Sequence, residues 1–392
     1  MLMSKKIRLK PTTEQEILFM KSVDVARWAY NYLLSEKQRV YDEYLQNGKS
    51  GRRDISEGEV RKYINNVLKP TTHTWLKEVS NNVMKQAVKD ADGAYKRFFS
   101  GQSGKPKFKS KKRSKLSFYV NYESLSRQPN GFRGERIGFV KTSEPLPKLK
   151  PNEKYSNPRI SFDGKYWYLS IGYNVEDIEC TLTDKSLGID LGIKDLAICS
   201  DGKIFKNINK TKRVRELKKR LKREQRKFSK MINGNIDKLT VNHKPIYKKP
   251  LEECKNIQKQ KERIKLIYRK LTNIRNNYIH QTTSEIVKAK PFQIVMEGLN
   301  VKQMMKNKHL AEAISDEKFY EFIRQMKYKS QRYGITFIQV DRFYPSSKMC
   351  SRCGNIKRDL KLSDRTYKCD VCGLVIDRDY NASINLANYK AV

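Results

Sequence analysis

Apolar residues set the first outline of this chain. Between about Thr12 and Leu45, Ile17, Met20, Val25, Trp28, Tyr32 and Leu33 recur at helical spacing, which predicts one or two helices entered through a cap in "PTTEQ". From about Trp75 to Phe99, Val79, Val83, Met84, Ala87, Ala91, Ala94, Tyr95 and Phe98 fall three and four apart. That face is buried, and Lys85, Gln86, Lys89 and Lys96 look outward. The segment "GQSGKPKFKSKKRSKLSFY" breaks the helical pattern, and "ISFDGKYWYLSIGY" sets two alternating aromatic and β-branched runs around "DGK", a hairpin signal. Residues 105–180 therefore read as a β domain.

Long helices return in the second half. Residues 211–231 carry Val214, Leu217, Leu221, Phe228 and Met231 on one stripe, and residues 252–280 carry Ile257, Ile264, Ile267, Leu271, Ile274 and Tyr278 on another. An antiparallel pair buries both stripes. The connection "NGNIDKLTVNHKPIYKKP" is rich in breakers, so a mobile segment is expected there. Before this pair, "SLGIDLGIKDLAICSDGK" alternates: Ile189, Leu191 and Ile193 point one way and Gly188, Asp190 and Gly192 the other. Asp190 is thus the one charge on a strand with an apolar opposite face, and "LAICSDG" returns beside it as a second strand. After the pair, "FQIVMEGLNV" reads as a buried strand with Glu297 at its C-terminal end.

Charge changes the picture from a generic α/β protein to one with polyanionic partners. Lys and Arg number 83 against 42 Asp and Glu in 392 residues, a formal charge of +41. A compact chain so charged repels itself unless polyanions surround it, and nucleic acid is the natural partner. An excess this large suggests more than one bound duplex. Solvation and phosphate contact are competing readings of Lys85 and Gln86, and of Lys107, Lys109 and Lys111 interleaved with Phe108; the aromatics nearby read equally as strand core. The start "MLMSKKIRLK" has no apolar run behind its basic residues, and no stretch approaches the length of a membrane span, so a cytoplasmic protein is expected.

Two sets of residues carry candidate chemistry. Cys350, Cys353, Cys369 and Cys372 form C-x2-C-x15-C-x2-C, two knuckles that bring four thiolates around one structural Zn2+. Cys180, Cys199 and Cys254 are scattered and read as packing, and none of His73, His243, His280 and His309 lies in a metal motif. Asp190 and Glu297 each have a plain reading as a salt-bridge partner or strand-end charge, yet together they offer converging oxygens of the kind that hard cations such as Mg2+ require. In "DRDYNASINLA" a helix starts, with Asp377 able to cap the first turn and Asp379, two residues on, inside that turn; periodicity does not choose between them for a metal role.

In this order, "GIDLGIKDLA", "IVMEGLN", "RFYPSSKMCSRCG" and "CDVCGLVIDRDYNASIN" resemble the TnpB family of transposon-encoded proteins, relatives of the type V CRISPR effectors, and the likeness extends upstream through "RWAYNYLL" and "KPKFKSKKRSKLSF". The resemblance implies a multidomain α/β protein: an RNase H-like (RuvC) nuclease domain over 181–345 with the basic helical pair 211–289, a zinc ribbon inserted at 346–375, and a final RuvC helix over 376–392. It further implies a β-barrel, wedge-like domain from residues 1–20 and 105–180, and a helical recognition domain over 21–104. The implied activity is RNA-guided DNA cleavage by a monomer associated with the nucleoid. Its partners would be a guide RNA derived from the transposon end and double-stranded target DNA. Asp190, Glu297 and Asp379 would hold one or two Mg2+ ions, and Lys85 and Gln86 would help sense a short DNA motif beside the target. "NASIN" departs from the family by carrying Ser383 where Ala is common. A cut-and-paste transposase and an RNA-guided repressor without cleavage are the rival readings.

Overall fold

The computed structural model describes residues 1–111, 113–361 and 364–390, which divide into two compact units, 1–175 and 176–392.

In the first unit, strand β1 (Leu2–Lys10) leads into helix α1 (Thr13–Gln46), followed by α2 (Glu57–Tyr63) and α3 (Asn81–Phe99). Thr12 caps α1 in a capping box: its Oγ1 accepts from the Gln15 amide at 3.3 Å, and the Gln15 side chain accepts from the Thr12 amide at 3.1 Å. One unbroken helix of 34 residues results where the pattern allowed one or two, and it runs through the expected boundary at residue 20. Six strands follow: β2 (Ser117–Tyr119), β3 (Ser126–Gln128), β4 (Gly131–Gly134), β5 (Gly138–Thr142), β6 (Ser156–Phe162) and β7 (Trp167–Asn174). They join β1 in an antiparallel sheet of order β2-β6-β7-β1-β5-β4-β3. The "DGK" hairpin forms as read, with Phe162 opposite Trp167 and Gly164 at φ +96°. Helices and sheet share one core in which Ile7, Phe19, Leu33, Val88, Phe132 and Leu169 are fully buried.

The second unit contains β8 (Thr183–Leu191), β9 (Asp195–Cys199), β10 (Ile204–Lys206), α4 (Lys212–Gly234), β11 (Ile236–Leu239), β12 (Pro245–Tyr247) and α5 (Lys255–Lys288). It continues with β13 (Pro291–Glu297), α6 (Val301–Met304), α7 (Ala311–Glu317), α8 (Phe319–Arg332), β14 (Thr336–Val340), β15 (Thr366–Lys368), β16 (Val375–Asp377) and α9 (Arg378–Ala387). Its main sheet has the order β10-β9-β8-β13-β14, antiparallel on the β9 side of β8 and parallel from β8 through β14. Helices α4 and α5 pack through Val214, Leu221, Ile267 and Leu271, with buried Gln260 donating to the Glu224 carboxylate at 2.8 Å and to its carbonyl at 2.9 Å. The connection between them carries the hairpin β11–β12, which the breaker-rich pattern had not suggested, because alternating "NIDKL" and "PIY" can pair across "TVNH". His243 takes the left-handed turn position at φ 55°.

Gly188 decides how this sheet is covered. A Cβ there would collide with the Ser383 carbonyl and the Ala387 amide of α9, so only glycine lets that helix lie directly on β8. Gly188→Val is expected to lower unfolding stability by about 3 kcal/mol or more, read by denaturant titration, because backbone has to move to admit the side chain. A change within about 0.5 kcal/mol, the range of ordinary surface substitutions, would mean that α9 does not sit this close.

Candidate active site

The β8–β13 ladder is in register through Val295↔Gly188 and Met296↔Ile189. The next residues along it are Glu297 and Asp190, which puts both on the same face of neighbouring parallel strands, whose backbones run about 4.8 Å from each other. Both lie at C-terminal strand ends, where open α/β sheets gather ligands. The same face is the one that α9 covers, since Ser383, Leu386 and Ala387 approach Gly188. Asp379 precedes Ser383 by about one turn, roughly 6 Å along the axis. Asp190 lies about 6.6 Å along β8 from Gly188. The helix runs antiparallel to the strand, so its first turn arrives at the level of Asp190.

Asp377 is the capping residue: one carboxylate oxygen accepts from the amides of Asp379 and Tyr380, each at 3.0 Å. Asp379 is thereby left for other partners. Its oxygens meet Arg378 at 2.9 Å and Arg365, from β15's leading edge, at 3.7 Å. Burial raises the Asp190 pKa well above the usual carboxylate range, and the negative fields of Asp379 and Glu297 push the same way. Burial also raises Glu297. An acid that feels two others from a recess at the strand ends suits a hard cation. Among the described residues, though, the four cysteines are the group of three or more ligating side chains whose donor atoms all lie within 4.8 Å.

The four cysteines fit zinc. Sγ atoms of Cys350 and Cys372 are 3.5 Å apart and those of Cys353 and Cys369 are 3.6 Å apart. A tetrahedral ion with bonds of about 2.3 Å requires about 3.8 Å. The knuckles repeat one backbone design. Cys350 N donates to Asn355 O at 2.8 Å and Cys369 N to Leu374 O at 2.9 Å, while Gly354 and Gly373 turn at φ +75° and +70°. The Cys372 amide draws the Cys369 thiol pKa below its usual range, favouring the thiolate that metals bind. Tyr367 is fully buried beneath the cluster.

Residues that sequence reasoning passed over fasten this ribbon to α9. Asn381 donates to Met349 O at 2.7 Å and accepts from Ser351 N at 3.0 Å, and Asn385 donates to Ser346 O and Met349 O at 2.7 and 2.6 Å. Both amides are buried. Their i, i+4 spacing in "NASIN" was the available signal. Nothing in the sequence pointed to Arg365 or Arg378.

The five candidate nucleic-acid contacts lie in the first unit. Lys85, Lys107 and Lys111 are exposed, and Gln86 donates to Asp90 at 3.0 Å. Lys109 is half-buried with its ammonium 3.6 Å from the centre of the Tyr30 ring, and burial lowers its pKa. No helix among the described residues is long and apolar enough to cross a membrane.

Three family profiles match successive parts of the chain: "Helix-turn-helix domain" over 1–46, "Probable transposase" over 170–308, and "Cas12f1-like, TNB domain" over 319–386. Residues 1–46 here form a strand and one long helix, not a helix-turn-helix. A protein of Streptomyces pristinaespiralis provisionally named RNA-guided DNA endonuclease is 28% identical over 97% of this chain and 87% of its own. The "TnpB-like protein L770" of Acanthamoeba polyphaga mimivirus is 24% identical over 98% of this chain and 72% of its own. Among solved structures, Cas12f1 in its complex with sgRNA and target DNA superposes with a TM-score of 0.55 at 14% identity, covering 99% of both chains. Fold and site together define a multidomain α/β protein with the Cas12f fold and a four-cysteine ribbon. In sequence the chain resembles the TnpB-like proteins.

Proposed function

We propose that this protein is an RNA-guided DNA endonuclease whose site is Asp190, Glu297 and Asp379 with one or two Mg2+ ions. What supports the reading most is that Asp190 and Glu297 lie at the C-terminal ends of neighbouring parallel strands and that Asp379, on the helix packed over β8, acts electrostatically on Asp190. The strand order β10-β9-β8-β13-β14, antiparallel then parallel, supports reading residues 181–345 and the last helix as an RNase H-like (RuvC) domain, with 346–375 an inserted zinc ribbon. The antiparallel sheet of the first unit is read as the wedge-like β barrel, and α1–α3 as the helical recognition part. The names of the relatives support the activity.

In this reading the dry setting of Asp190 and the fields around it make a cation its natural partner, while Glu297 and Asp379 complete the oxygen set. The chemistry such ions supply when bound is activation of water and stabilisation of the leaving oxygen at a phosphodiester. Arg378 and Arg365 hold Asp379 in place, and the basic faces of α4 and α5 bind backbone phosphates without reading bases. Sequence is read by pairing with a guide RNA from the transposon end, and Lys85 and Gln86 help to sense the adjacent DNA motif. Exposed Lys107 and Lys111 serve phosphates; Lys109 is committed first to Tyr30. We place the protein as a monomer in the cytoplasm, on the nucleoid.

The test uses full-length protein with RNA transcribed from the transposon end and plasmids bearing matched or mismatched targets. Cutting is expected only with Mg2+ and only at the matched target. Joined ends in place of cuts would make it a transposase, guided binding without cuts would make it a repressor, and cutting indifferent to the RNA would overturn the guided reading.

A further inference from the structure

Between α1, α3 and the loops beside them the first unit holds a cavity of about 500 Å³ that the cleavage site does not use. Its aromatic wall is Tyr41, Phe98 and Phe99. Phe99 is 70% exposed and Tyr41 40%, although the Phe99 ring is braced by Tyr95 at 6.0 Å and by Phe98 at 5.3 Å. A large ring held rigid yet left in water is a stacking platform without its stack.

The polar side of the cavity is equally specific. Lys37, 7% exposed, donates to both Asp54 carboxylate oxygens at 2.9 Å and pairs with Asp92 at 3.2 Å. That clamp fixes the Asp54 carboxylate at the pocket while leaving its side chain 59% accessible. A carboxylate has about four acceptor positions. Lys37 takes one on each oxygen and the Ile55 amide one more, so an acceptor remains. Lys105 and Arg53 add positive charge to the lining, Lys105 being steadied by Gln38 at 3.1 Å. The nearby acids Asp42 and Glu43 are engaged by Gln38 and Arg39 at 2.7 Å.

A buried aliphatic anchor from another protein would gain nothing from a fixed carboxylate and two cations. A nucleotide uses all three features: a π face, an amino edge that donates, and a phosphate. Unpaired, splayed bases are what RNA-binding proteins recognise, by stacking on aromatics and bonding to base edges. We propose that this cavity takes one unpaired base of the bound RNA, stacked on Phe99, with its exocyclic amine toward Asp54 and its phosphate toward Lys105 and Arg53. The inference rests on the RNA-binding half of the proposed function and is independent of cleavage.

The test is ultraviolet crosslinking of the full-length protein to the transposon-end RNA, with adducts mapped by mass spectrometry, alongside filter binding of wild type, Phe99→Ala and Tyr41→Ala. A ribonucleotide adduct on Tyr41, Phe98 or Phe99 is expected, with RNA affinity about tenfold lower in each variant. The melting temperature should stay unchanged, since both rings are solvent-exposed. The adduct should be A, C or G, because uracil lacks the amine. Wild-type RNA binding with unchanged variants and adducts elsewhere would overturn the pocket and leave the guided reading intact. No RNA binding by wild type would remove both, and a deoxynucleotide adduct at these rings would overturn the assignment to RNA.

Discussion

Asp190→Ala is expected to lower target cleavage by at least about a thousandfold, equivalent to roughly 4 kcal/mol in the barrier, while guide RNA and target DNA bind as in wild type. The asymmetry follows from where the side chain sits. Asp190 lies recessed at the end of β8, against Glu297 and the first turn of α9, with no role in the exposed basic surface. Its ionised form is opposed by burial and by two neighbouring acids, so a neutral residue also relieves repulsion in the metal-free protein. The variant should therefore melt no lower than wild type when Mg2+ is absent, as is common where a site is strained for function. Cleavage and binding assays on one preparation decide the matter. Equal loss of both would move Asp190 from the chemistry to the scaffold.

The second large effect is expected at a residue far from any reacting atom. Cys369→Ser should take bound zinc from about one per chain to none and reduce cleavage by about a hundredfold or more, with metal content and rate measured on the same sample. Ribbon and acid are mechanically continuous. Thr366 of β15 pairs with Asp377 of β16, the Arg378 amide donates to Arg365 O at 2.9 Å, and Asp377 then caps the helix that carries Asp379. Structural zinc supplies folding free energy that a stretch this small lacks by itself, so losing a ligand releases the register that aims Asp379. Asn381 and Asn385 bind the same ribbon from the helix side. Full activity in protein shown to be free of zinc would sever this link.

Local chemistry was legible where one element sufficed to reveal it. Alternation marked Asp190 as a charge set among apolar strand residues, although β8 reaches back to include Asp184 and Lys185 as well; paired knuckles announced the cysteine cluster, and "PTTEQ" announced the start of α1. The linker between α4 and α5 misled because its turn residues stood out more than the short alternating runs that pair across them. Asp377 caps as its position in "DRDYN" suggested, but the local pattern could not choose between Asp377 and Asp379 for a metal role, since the first turn of a helix favours an acid at either place. Placing β1 was harder still. Its pairing of Leu2 with Asn174 spans almost the whole unit, and strand pattern carries no partner information at such separations.

By itself, then, the sequence indicated most of the element types, the charge that suits nucleic acid and the thiolate cluster. Those properties belong to spacing and side-chain chemistry, which a linear chain already holds. Only the tertiary structure decided that Gly188 admits α9 onto β8, that Asp379 comes near enough to act on Asp190, and that Arg365 and Arg378 attend Asp379. Each of these depends on close approach between segments distant along the chain, a quantity set by packing and sterics that no local pattern encodes.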